Sequence, residues 1–132
     1  MPPKRPKVKK KPKKKSPTHY RKLCVADAKT KAKERDKGIC QRCGKKVEGA
    51  NAHGSHILNE GAYPLMSAEV DNIILLCYYD HINWWHKNPF EVSQWFEEKW
   101  PGRYKELREM ADEKKKHIVN WQKRWEEIKN LT

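Results

Sequence analysis

Cys40 and Cys43 are separated by two residues in the run GICQRCGKK, and Cys77 recurs in LLCYYDH with Asp80 three residues beyond it. Two such turns facing each other would offer three thiolates and a carboxylate to one ion. Zinc accepts all of these donors, and a tight turn carrying two thiols is the usual form of a zinc knuckle. His81 directly follows Asp80 and competes with it for the fourth position. Aspartate also caps helices well, so Asp80 could cap a helix starting at His81, and the two roles could overlap. Three thiolates and one carboxylate should hold zinc less tightly than four thiolates, because a harder oxygen replaces a soft donor. A redox dithiol at Cys40-x-x-Cys43 would need a thioredoxin-like βαβ context, which the surrounding pattern lacks. Cys24 lies sixteen residues before Cys40 in a helical stretch and reads as a packed or free thiol.

A second group of side chains overlaps the first. His53, His56, His81 and His86 fall within 34 residues that also contain Asn72 and Cys77. His56 sits in one expected strand, Asn72 at the entrance to another, and His81 at the start of a helix. A strand-strand-helix unit brings such positions onto one face. There His81 could bind Mg²⁺ or another divalent ion while His56 takes a proton from water, so that the metal stabilises the leaving oxygen and the imidazole activates the nucleophile.

The elements that must position these groups are short. Residues 19–36 read as a helix with a weak apolar face at Leu23, Ala26, Ala28 and Ala32, ending before Gly38. Strands are expected at 55–58 and 70–76, joined by a loop marked by Gly61 and Pro64. A helix runs from Asp80 and His81 to about His86, closed by Asn88-Pro89. Further helices follow at 89–99 (Phe90, Val92, Trp95, Phe96), at 103–113 (Tyr104, Leu107, Met110), and at 118–131 (Ile118, Trp121, Trp125, Ile128, Leu131). The tryptophans at 95, 100, 121 and 125 recur at helix-face spacing and read as core. The expected fold is α+β, a small zinc-stapled core flanked by helices. It divides into a tail (1–18), an N-terminal helix (19–37), a metal domain (38–100) and C-terminal helices (101–132). A unit of about fifty residues is small enough to need a metal staple.

The chain has 132 residues and a formal net charge of +13, and nine of its 30 Lys and Arg lie in MPPKRPKVKKKPKKK, which contains no acid. That tail is too polar to fold and reads as disordered. Such an arm binds polyanions by counterion release, or serves as a solubilising or localisation tail. It lacks the apolar core of a secretory signal, and no stretch approaches the roughly 20 apolar residues of a membrane span. The expectation is a soluble, cytoplasmic protein.

Together, C-x-x-C, then HGSHI, then DNIILLC-x-x-DH followed by HKNP, resemble an HNH endonuclease of the ββα-metal fold. The similarity is greatest to phage recombination nucleases of the NinG (Rap) kind and related small phage HNH proteins, and it covers roughly residues 38–90. The resemblance implies a metal-dependent DNA endonuclease, nicking or cutting both strands, with branched recombination intermediates among its substrates, and acting in a host cell. It makes His56 the general base, Asn72 the residue that braces the loop and orients the base, and His81 a ligand of a catalytic Mg²⁺, Mn²⁺ or Ni²⁺ with His86 beside it. Cys40, Cys43 and Cys77 become structural zinc ligands, with Asp80 where many members have Cys. Many members also carry a metal-binding Asp or His directly before the base. Here that residue is Ser55, and His53 is the substitute ligand. On this reading Asp80 faces the structural zinc and His81 the catalytic ion. DNA backbone would be held by Lys9, Lys10, Lys11, Lys13, Lys14 and Lys15 of the tail and by Arg21, Lys22, Arg42, Lys45, Lys46 and Lys87. Ser55 favours an alternative, a catalytically degenerate, zinc-stabilised DNA-binding or recombination accessory protein. The apolar stripe from Trp121 to Leu131 allows either a monomer or a homodimer.

Overall fold

The computed structural model describes residues 2–4 and 15–131. Lys9, Lys10, Lys11, Lys13 and Lys14 of the expected DNA-binding tail lie outside the described residues. Helix α1, Pro17–Arg35, begins where the sequence supplies both an N-cap and a proline: the Ser16 side chain accepts from the His19 amide at 3.4 Å, and Pro17 needs no amide partner. At its end the Gly38 amide donates to the Lys33 carbonyl at 3.1 Å. The buried face is Cys24, Val25, Ala28 and Ala32, not the expected Leu23 and Ala26.

Strands β1, Ala52–His56, and β2, Ile73–Cys77, form a two-stranded antiparallel sheet with His56 opposite Ile73 and Ala52 opposite Cys77. β1 lies three residues before its expected start. Its AHGSH sequence has little strand character and is held by its partner IILLC, which is buried along its whole length. Beyond His56 the chain leaves the ladder because the amides of Ile57 and Leu58 turn to the backbone and side chain of Asn72, at 2.8 and 2.7 Å. The expected strand start at Val70 is a 3₁₀ turn, Val70–Asn72.

β2 is the hub of the molecule. Ile73 packs against Cys24, Ala28 and Ala32 of α1 and Trp121 of the last helix. Ile74, Leu75 and Leu76 pack with Val47, Trp85, Trp95 and Trp100. All four aliphatic residues are fully buried, and each such burial contributes about 1.5–3 kcal/mol. Directly after β2, Asp80–Trp85 form a π-helical turn, wider than the expected α-helix. Helices α2 (Pro89–Lys99), α3 (Arg103–Lys114) and α4 (Trp121–Asn130) follow. α4 starts three residues later than expected, where the Asn120 side chain caps the Lys123 amide at 3.0 Å. Ile118, Leu131 and Phe90, read from the sequence as apolar-face residues, are exposed, whereas Trp121 is buried. Among the described residues no helix is long and apolar enough to cross a membrane.

Candidate metal centres

The loop after α1 forms a narrow antiparallel bridge between Ile39 and Lys46, and the knuckle lies at its tip. The Cys40 amide donates to the Lys45 carbonyl at 2.8 Å, and the Gly44 amide to the Cys40 carbonyl at 2.9 Å. Gly44 turns the chain with φ +75°, a conformation that costs a residue with a Cβ. The Gln41 amide then ties the knuckle to β2 through the Leu75 carbonyl, at 2.9 Å. This brings Cys40 and Cys43 against the end of β2. The ligand atoms of Cys40, Cys43, Cys77 and Asp80 all lie within 4.8 Å of one another, close enough to hold a metal ion such as zinc. Cys43 Sγ is 4.0 Å from Cys77 Sγ, and Cys40 Sγ is 3.3 Å from Asp80 Oδ2. Asp80, not His81, joins the cysteines. Its carboxylate meets Cys40 Sγ and Arg42 Nη1, and the residue at the cap position of the following turn is Tyr79.

The electrostatics of this pocket are set by one cation. Burial alone would push the Asp80 carboxyl up, but Arg42 Nη1 at 2.7 Å from Oδ1, together with the three thiols, holds it below the usual carboxylate range. The Arg42 guanidinium also lies 3.9 Å over the Trp84 ring, so this arginine, expected at DNA, pairs with Asp80 and Trp84 while its side chain stays partly exposed. Burial pushes the Cys77 thiol up to about 12, and Cys43 is likewise raised. A metal must therefore displace protons to bind here. Lys99 donates to the Gln41 carbonyl and pins α2 to the knuckle.

One residue further on, the chain faces a different site. His53 Nδ1 lies 2.9 Å from His81 Nδ1, and His81 Nε2 lies 2.9 Å from His86 Nε2. His53 Nε2 contacts the Ala50 carbonyl at 3.0 Å, so that nitrogen carries the proton. His81 then donates through Nδ1 to His53 and accepts through Nε2 from His86. One proton per ring satisfies the whole row. Burial first, and then the neighbouring His86, His53 and Lys29, depress His81 to about 4, which keeps its ring neutral and able to ligate. Imidazole nitrogens bind zinc at about 2.0–2.1 Å, and a 2.9 Å separation suits two of them meeting on one ion. Because the two contacts use opposite nitrogens of His81, an ion would take His53 with His81 or His81 with His86, but not all three as placed.

His56 stands apart from the row. Its Nε2 lies 2.8 Å from the Ser67 carbonyl and must donate to it, which leaves Nδ1 with a lone pair. Burial lowers its pKa, against the opposing pull of the Ser67 carbonyl and Glu60, with Lys29 and Arg21 lowering it further. Next to the Ser67 carbonyl that orients His56, the carbonyl of Met66 is held by Asn72. This fully buried side chain donates to the carbonyls of Leu58 and Met66, both at 3.0 Å, and accepts from the Leu58 amide at 2.7 Å. Ser55 Oγ, in contrast, is buried without a hydrogen-bond partner. Lys15, Lys22, Lys45, Lys46 and Lys87 are exposed and Arg21 is half-buried. Lys87 contacts Asn83 at 3.2 Å. Cys24 is buried, its Sγ 3.8 Å from the Trp121 carbonyl, away from both clusters. Sequence reasoning missed Lys29, whose charge acts on both His56 and His81; its position two turns before the end of α1 gave no signal. No protein-family model, curated protein or solved structure matches the chain.

Proposed function

We propose that the chain is a metal-dependent endonuclease of the HNH type, hydrolysing DNA phosphodiester bonds, with a structural zinc on Cys40, Cys43, Cys77 and Asp80. The observation that carries this reading is the state of His56. Its Nε2 is spent on the Ser67 carbonyl, its Nδ1 has no partner among the described residues, and its pKa is lowered, so at neutral pH it is an unprotonated base with one available lone pair. Asn72 supports the base indirectly by fixing the 58–67 loop. His81, with His53 or His86, would hold a catalytic divalent ion, which when bound supplies Lewis-acid stabilisation of charge on the phosphate and leaving oxygen. The row of histidines orients that ion's ligands, and His56 moves the proton of the attacking water.

Purified protein and its His56→Ala variant should be compared in a plasmid-nicking assay, with and without added Mg²⁺, Mn²⁺ or Ni²⁺. Cleavage by the parent should require added ion and fall about 10²–10⁴-fold in the variant. Equal cleavage by both proteins would remove His56 from the chemistry. The second reading, a DNA-binding accessory protein, is favoured by Ser55, whose hydroxyl is a weak ligand and is buried without a partner among the described residues, out of reach of an ion from solvent. Its signature would be two proteins that shift DNA in a gel and cut it under no ion.

A further inference from the structure

Lys29 of α1 lies flat across β1. A Cβ built on Gly54 would come within 2.8 Å of Lys29 Cγ, 3.1 Å of its Cβ and 3.3 Å of its Cδ, so the missing side chain at Gly54 is what lets the lysine stem rest on the strand. Alternate residues of a strand share a face, which puts Gly54 and His56 on the side that Lys29 covers. Arg21 stands eight residues earlier on α1, about 12 Å along the helix axis. Both charges act on His56, and that of Lys29 also reaches His81. Among the described residues neither cation has a carboxylate partner. Asp27, the acid between them on α1, pairs instead with Lys31 at 2.8 Å. A lysine laid over the strand face that carries His56, with no carboxylate partner among the described residues, suits an anion that arrives from outside.

We propose that Lys29 and Arg21 form a phosphate-binding edge of the site, Lys29 holding the phosphate under attack by the His56-activated water and Arg21 a phosphate further along the same backbone. The catalytic half of this assignment rests on the nuclease reading, but the phosphate-binding half does not. Lys29→Met is the informative variant, because it keeps the stem over Gly54 and removes only the charge, and its melting temperature should equal that of the parent. Affinity for a short DNA duplex is measured in a His56→Ala background across a salt series. Lys29→Met should make the slope of log affinity against log salt shallower by about 0.9, and Arg21→Gln by about 0.9 more, as expected for one phosphate contact each. With His56 intact, Lys29→Met should lower kcat about 10²-fold, with a smaller change in KM, and Lys29→Arg should recover most of it.

An unchanged salt slope would overturn the phosphate edge whatever the protein's activity. A reduced slope with unaltered kcat would overturn the assignment of Lys29 to the reacting phosphate. A reduced slope in a protein that cuts no DNA under any ion would uphold the edge while removing the nuclease reading beneath it.

Discussion

The cysteine cluster and the histidine row are built from one short stretch of chain, yet they solve opposite problems. In the first, four donors from two turns converge, Cys40 and Asp80 are almost wholly buried, and Arg42 and Lys99 clamp the turn from outside. Such a site can fill four positions from the protein alone, which is the pattern of ions that hold a fold together. In the second, the rings line up instead of converging, and His86 at the end of the row is exposed. An ion held there by two imidazoles would keep open positions for water or another ligand. Convergence and burial suit retention, whereas a half-filled row at the surface suits exchange with a substrate.

The sharpest break in this comparison should come from Cys77→Ser. Metal binding in a closed structural site is worth on the order of 10 kcal/mol, comparable to the whole stability of a domain. The variant should lose its zinc, measured by elemental analysis, and its cooperative thermal transition. Retained zinc with an unchanged melt would mean that the cysteines are not a structural centre. An intermediate effect is expected at His81. Its folded-state pKa of about 4 lies below the ordinary value of 6.5, so between those values the unfolded chain binds more protons than the folded one. Its contribution is therefore full above about pH 6.5 and is lost as pH falls toward 4. The loss is at most about 3 kcal/mol before solvent screening reduces it. Urea unfolding at pH 7 and pH 5, without added divalent ion, should show this acid sensitivity in the parent and less of it in His81→Gln. Identical pH dependence in the two proteins would argue against a buried, neutral His81. The smallest effect belongs to Arg42→Gln, which removes the ion pair to Asp80 and the stacking on Trp84. A partly exposed contact of this kind is worth about 1–2 kcal/mol, and a melting temperature within error of the parent would show that Asp80 needs no counter-charge.

What the sequence disclosed divides along similar lines. Knuckle spacing is local chemistry, so Cys40, Cys43 and Cys77 were legible, and Asp80 was legible as one of two contenders. The family resemblance favoured it over His81, and the geometry agrees, because the π-helical turn directs these adjacent side chains to different clusters. The α+β class and the helices expected at 89–99 and 103–113 followed from apolar spacing and from the breaks at Asn88-Pro89 and Pro101-Gly102, the second running one residue further, to Lys114. β1 was displaced because its own residues carry no strand pattern; a buried partner distant in sequence imposes its pairing. The same holds for Lys29 and Arg42. Their roles depend on what lies across from them, a glycine in one case and a carboxylate in the other, and neither is visible from neighbours along the chain.

Only a single peptide bond separates Asp80 from His81. Whatever fixes one therefore limits the other, and two ions bound on either side of that bond would be thermodynamically linked. If filling the cysteine cluster sharpens the histidine row, then by reciprocity an ion in the row must tighten the hold of the cluster by the same factor. A histidine row that binds an ion would thereby report on the integrity of the fold, accepting that ion best when the protein around it is whole.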